Sequence, residues 1–138
     1  MHIQPYLDFN GRCEEAIEFY REVLGAKVGM LMRFKESPDP HSADSESPDA
    51  GNKVMHAAVQ IGDTIIFMSD GQCSGSPMFQ GINLSLSVSS DAEATERFEA
   101  LSQNGQVQMP LTKTFFSSSF GMVADQFGVM WMIMVVPQ

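Results

Sequence analysis

Apolar and polar positions change period several times along the chain. Leu7 and Phe9 alternate with Gln4, Tyr6 and Asp8, and Asn10-Gly11 closes the run. This predicts a short two-faced strand followed by a turn. From Arg12 the spacing becomes three and four: Cys13, Ala16, Ile17, Tyr20, Val23 and Leu24 form the stripe of an amphipathic helix. Glu14 and Glu15 suit its first turn, and Gly25 supplies a left-handed stop. A strand is expected near Lys27 to Phe34. Residues 36–52 hold Pro38, Pro40, Pro48, four serines and five acids with no apolar period, the pattern of a mobile acidic loop. Strands over Val54–Ile61 and Thr64–Met68 follow, joined by the tight turn Gly62-Asp63.

After a Gly/Ser-rich stretch from Gly71 to Pro77 the pattern restarts. Ile82, Leu84, Leu86 and Val88 alternate with Asn83, Ser85 and Ser87. Ser90-Asp91-Ala92-Glu93 reads as a capping box, and Ala94, Phe98 and Leu101 as a helix stripe ended by Gly105. Strands are expected near Gln106–Leu111 and Gly121–Val123, then a turn at Asp125-Gln126-Phe127-Gly128 and a closing strand from Val129 to Val136. The order is therefore strand, helix, three strands, twice over. Within a single domain over 1–138, module one covers about 1–75 and module two about 80–138. Each is a sheet covered by one helix that cannot close a core alone.

Composition narrows the function classes. The chain has 138 residues, 8 Lys+Arg against 17 Asp+Glu, and a net charge of −9. No basic cluster exists to neutralise phosphates, so nucleic acid and anionic membranes are poor partners. No run of about 20 apolar residues and no basic-then-apolar leader is present. Cys13 and Cys73 are then expected to be reduced thiols in a cytoplasm.

The residues Pro5-Tyr6-Leu7-x-Phe9-x-Gly11, Ala16-Ile17-Glu18-Phe19-Tyr20, Leu24-Gly25-Ala26, His56-Ala57, Ile61-Gly62-Asp63 and Met68-Ser69-Asp70 form a set. Pro110-Leu111, Phe115-Phe116 and Asp125-x-Phe127-Gly128-x-x-Trp131 complete it over nearly the whole length. In these the chain resembles the PhnB-like branch of the vicinal-oxygen-chelate superfamily, which includes glyoxalase I, bleomycin-resistance proteins and extradiol dioxygenases. The resemblance implies an α+β fold of two βαβββ modules, with curved mixed sheets around a cleft and one helix packed on each. It also implies a homodimer with shared clefts. Metal-dependent members place His and Glu at four cleft positions. These match Gln4 or Pro5, Phe67 or Met68, Asn83, and Met132 here. Thioether, phenyl and neutral amide groups are not ligands for divalent Ni, Zn or Fe in such a place, so neither a metal nor another cofactor is expected. His41, beside Asp39, Asp44 and Glu46, reads as part of a solvated loop.

Strand parity turns Tyr6, Asp8, Asn83, Ser85 and Ser87 toward the cleft. The family match adds Phe67 or Met68 and the face of Met130, Met132 and Met134. This is a soft apolar lining with a few polar groups, suited to an adaptable ligand site or simply to a dry core. His56 reads either as a general acid or base or as a hydrogen-bonded strand histidine. Asp70 caps its loop, anchors a ligand or holds His56. Phe115 and Phe116 beside Ser117-Ser118-Ser119 read as a lid on a flexible hinge or as core, and Trp131 as core. The resulting expectation is a metal-free protein binding a small apolar or aromatic molecule. The alternative is a lyase- or isomerase-type enzyme using His56 or a displaced metal site. The glycines sit in turns and helix stops, so no nucleotide-cofactor cradle is seen.

Overall fold

A computed structural model describes residues 1–38, 50–71 and 77–136. Most of the predicted acidic loop, with His41, and also Cys73 lie outside the described residues. The chain divides into two compact units, Met1–Pro77 and Met78–Gln138.

The first unit runs β1 (Tyr6–Asp8), α1 (Cys13–Leu24), β2 (Lys27–Arg33), β3 (Val54–Ile61) and β4 (Thr64–Ser69), with 3-10 turns at Phe34–Glu36 and Ala50–Asn52. The sheet order is β1-β4-β3-β2, with β1 parallel to β4 and the other pairs antiparallel. The second unit repeats this plan with β5 (Asn83–Val88), α2 (Asp91–Leu101), β6 (Gln106–Thr112), β7 (Phe120–Ala124) and β8 (Met130–Val135), ordered β5-β8-β7-β6. Two open four-stranded mixed sheets, each carrying one helix, are the α+β fold the repeated pattern predicted.

Each helix buries the stripe its spacing promised. Cys13, Ala16, Ile17, Tyr20, Val23 and Leu24 of α1 are buried, as are Leu7, Ala57, Val59, Ile66 and Met68 from the strands of that unit. Burying a side chain such as Ile17 or Met68 is worth about 1.5–3 kcal/mol, so this layer stabilises the unit. Gly25, at φ 66°, ends α1 in the left-handed conformation. In the second unit Ala94, Phe98 and Leu101 are buried, together with Val123, Trp131, Ile133 and Val135 from its strands. Pro110 falls on β6, an edge strand, where its missing N–H costs no ladder bond.

Two terminal details differ from expectation. Helix α2 ends at Leu101, and the left-handed residue is Asn104 (φ 59°), not Gly105. Gly105 is required for space instead: a Cβ there would collide with the carbonyl oxygen of Ala124. At the other end of α2, Ser90 accepts a hydrogen bond from the Glu93 backbone N–H at 3.1 Å, while the Glu93 carboxylate accepts from Ser89. The capping box therefore closes one residue upstream.

Candidate functional site

Strand pairing decides which side chains share the face of the first sheet opposite α1. Tyr6 pairs with Phe67, Phe67 with Ala58, and Ala58 with Met30. Two residues along the strands, Asp8 pairs with Ser69 and His56 with Met32. Because pleat parity is two, Tyr6, Asp8, His56 and Phe67 stand on one face. Phe67, not the fully buried Met68, occupies it.

The rings form a group. Tyr6 and His56 have centroids 5.7 Å apart, Tyr6 and Phe67 6.2 Å, and His56 and Phe67 5.1 Å, all tilted. Such spacings lie within the range of favourable ring contacts. Tyr6 Oη and His56 Nδ1 are 3.4 Å apart, and Tyr6 remains 52% exposed. Small residues adjoin the rings on this face: Ala58 pairs with Phe67 and Ser69 with Asp8. Asp8 is fixed beside them: its Oδ1 accepts from Ser69 Oγ at 3.3 Å, and Ser69 Oγ accepts from the Gly71 N–H at 3.2 Å. Gly71 takes a left-handed φ of 56°, which favours glycine, and the Asp8 carboxylate lies where a Cβ would stand. Ser69 was legible by parity with Phe67, but its hydroxyl bond to Asp8 was not. Gln4, at one of the superfamily's ligand positions, donates from Nε2 to the carbonyl oxygen of Ile65 at 2.7 Å.

On the second sheet Asn83 pairs with Met130 and Ser85 with Met132; Met132 also pairs with Met122, which in turn pairs with Met109. Asn83, Ser85, Met130 and Met132 thus share a methionine-rich face opposite Trp131 and Ile133. Met130, Met132 and Met134 are only part-buried, whereas Val129, Trp131 and Ile133 are buried.

Two predicted site residues stand elsewhere. Asp70 is 1% exposed. Its Oδ1 accepts from the Cys13 N–H at 2.7 Å and its Oδ2 from the Val54 N–H at 2.6 Å. It caps α1 across the chain and does not hold His56. Its strand-end position signals a cap, but the helix it caps is visible only in three dimensions. Phe116 sits in the β6–β7 connection, edge-to-face with Phe120 and with the fully exposed Phe115 at 5.1 Å each. The serines beside it are no free hinge. Ser117 is buried, and its Oγ lies 2.8 Å from the carbonyl oxygen of Val135 and accepts from the Val135 N–H at 3.1 Å. Ser118 and Ser119 donate to Asp91 at 2.6 and 2.9 Å, which lowers that carboxyl below its ordinary range.

The donor set does not fit a divalent metal. The superfamily positions carry an amide, a phenyl, an amide and a thioether, and no group of three or more His, Cys, Asp or Glu converges among the described residues. Burial, followed by the nearby Asp70 charge, pushes the Cys13 thiol up, which favours the neutral thiol.

A family model for the Glyoxalase/Bleomycin resistance protein/Dioxygenase superfamily matches residues 2–133. The chain belongs to this superfamily. Protein YjdN of Escherichia coli (strain K12) is 36% identical, covering 100% of this chain and 97% of that protein. Protein PA1353 of Pseudomonas aeruginosa is 38% identical with a TM-score of 0.85, covering 100% of this chain and 99% of that one. A PhnB protein of Bacillus cereus, whose label suggests a 3-demethylubiquinone-9 3-methyltransferase, is 25% identical with a TM-score of 0.81, covering 99% and 100%. The PhnB-like resemblance read from the motifs is thereby met.

Proposed function

We propose that this superfamily member binds a small apolar or aromatic molecule on the open faces of its sheets without using a metal ion. The observation that carries the reading is the ring group of exposed Tyr6 with part-buried His56 and Phe67, on a sheet face where hard metal donors are replaced by Gln4 and Phe67. In the second unit, taken by itself, the face of Asn83, Ser85, Met130 and Met132 is a flexible, polarizable surface, and Phe116 is an exposed aromatic edge. We further propose a cytoplasmic homodimer that binds neither nucleic acid nor membrane. The net charge of −9 supports the lack of nucleic acid. No helix among the described residues is long and apolar enough to cross a membrane. Val28, Met30 and Ile65, exposed on the first unit, support a dimer, which light scattering tests.

A second reading is favoured by one contact. Tyr6 Oη at 3.4 Å from His56 Nδ1 is a pair through which a proton could move, so His56 is the candidate acid or base of a lyase- or isomerase-type reaction. The methyltransferase suggested by the label of the Bacillus cereus protein would need a Gly-rich turn opening a helix after a parallel strand, and only Gly11 precedes α1.

Native mass spectrometry and metal analysis of the purified protein separate these readings. The binding reading expects substoichiometric metal, and aromatic compounds that raise Tm in the natural chain but not in Tyr6→Ala. A ligand at 100 times its Kd adds about 2.7 kcal/mol of stability. Stoichiometric Zn, Ni, Mn or Fe, or no shift with any aromatic, dicarbonyl or alkylammonium compound, overturns it.

A further inference from the structure

The ring group on the first sheet is one-sided in charge as well as in shape. Tyr6, His56 and Phe67 present π systems with centroids 5.1–6.2 Å apart. Asp8 stands on the same face, two residues along β1 from Tyr6, or about 7 Å. Its carboxylate accepts a hydrogen bond from Ser69 Oγ and packs into the space beside Gly71. The sheet row through Tyr6 continues over Phe67, Ala58 and Met30, and the row through Asp8 reaches Ser69, with His56 and Met32 beyond it on the same face; neither carries a lysine or arginine, and the lysine of the adjacent row, Lys27, stands on the edge strand β2 at the opposite side of the sheet from Asp8. Aromatic faces carry the negative end of their quadrupole and attract cations. An ionised carboxylate only accepts hydrogen bonds, so a neutral molecule gains from it at most through a hydroxyl or N–H donor, whereas a cation is also attracted by its charge. At long range a chain of net charge −9 draws cations and repels anions.

We infer that the molecule held on this face is a small organic cation, an alkylated or quaternary ammonium. Its apolar surface lies on Tyr6 and Phe67, and its charge faces Asp8. This rests on the binding function proposed above and names the ligand's chemical class.

Choline and 3,3-dimethylbutan-1-ol share one shape and differ in a charged nitrogen against a neutral carbon. Ligand-observed NMR titrations of the full chain with these two, and with benzyl alcohol as a neutral aromatic, test the inference. Choline is expected to bind about tenfold more tightly than its isostere, a difference of about 1.4 kcal/mol. Phe67→Leu, which keeps an apolar side chain but removes the ring, is expected to weaken choline several-fold and leave the isostere unchanged. Asp8→Asn is expected to do the same. Far-UV circular dichroism checks that both variants fold; each position lies outside the buried core. Equal affinity for choline and the isostere, or choline binding indifferent to both substitutions, overturns the inference. If benzyl alcohol still binds and Tyr6→Ala abolishes it, the binding function stands while the cation falls. If no probe binds, both fall.

Discussion

Among the described residues four polar or charged side chains are buried: Ser69, Asp70, Ser117 and Asp125. Each is fully engaged. Asp125 Oδ1 accepts from the Phe127 and Val129 N–H groups at 2.9 and 3.1 Å, and its Oδ2 from Trp131 Nε1 at 2.9 Å. That bond explains how Trp131 can lie in the core with its polar N–H satisfied. Asp70→Asn puts an amide NH₂ against a backbone N–H, leaving one buried donor without an acceptor. The expected cost is about 1–3 kcal/mol in urea unfolding. Because Asp70 accepts from Cys13, the same substitution is expected to loosen the start of α1. Cys13, buried and held as a thiol, is expected to resist iodoacetamide at pH 8 in the natural chain and to react faster in the variant, as read by peptide mass mapping.

At the scale of elements the two helices are held differently. Helix α2 carries its own N-cap, so Ser90→Ala is expected to cost about 1 kcal/mol and lower Tm. Helix α1 has no side-chain cap from Arg12 and depends on Asp70 and on an ion pair to β2. Arg33 grips Glu14 with Nη2 at 2.7 Å and Nη1 at 3.2 Å, and also donates to the carbonyl oxygen of Asn52 at 2.6 Å. The Arg33 hydrogen bonds hold the Glu14 carboxyl below its ordinary range. This stabilisation is therefore complete above the ordinary carboxylate range and lost as pH falls through the lowered value. Glu14 is 58% exposed, so solvent screening limits the pair to at most about 1 kcal/mol. Comparing Arg33→Gln with the natural chain is expected to show a stability gap at pH 7 that closes on acidification.

For the whole molecule, 17 acids against 8 bases make self-repulsion the dominant long-range term. Raising NaCl from 10 mM to 0.3 M shortens the screening length from about 30 Å to under 8 Å. Tm is expected to rise, although the Glu14–Arg33 pair weakens. A fall in Tm would mean that specific ion pairs outweigh the net charge.

The order of elements, both helix stripes, the hairpin at Gly62 and the two-faced strands were legible because period and turn chemistry are local properties. Parity alone placed Tyr6 and Asp8 opposite Leu7, and Met130 and Met132 opposite Trp131, since a strand turns its side chains alternately whatever it pairs with. Pairing itself belongs to the tertiary structure. That Phe67 meets Tyr6, that His56 comes within reach of both, and that Asp70 reaches Cys13 across 57 residues depend on register between distant segments. So does the fate of Gly105, whose requirement is a carbonyl 19 positions away at Ala124 and not the helix it follows. Residue spacing was enough to show which faces are apolar and which donors are missing. The fold decided which residues on those faces become neighbours, because contact between remote segments is set by strand register, which no local spacing encodes.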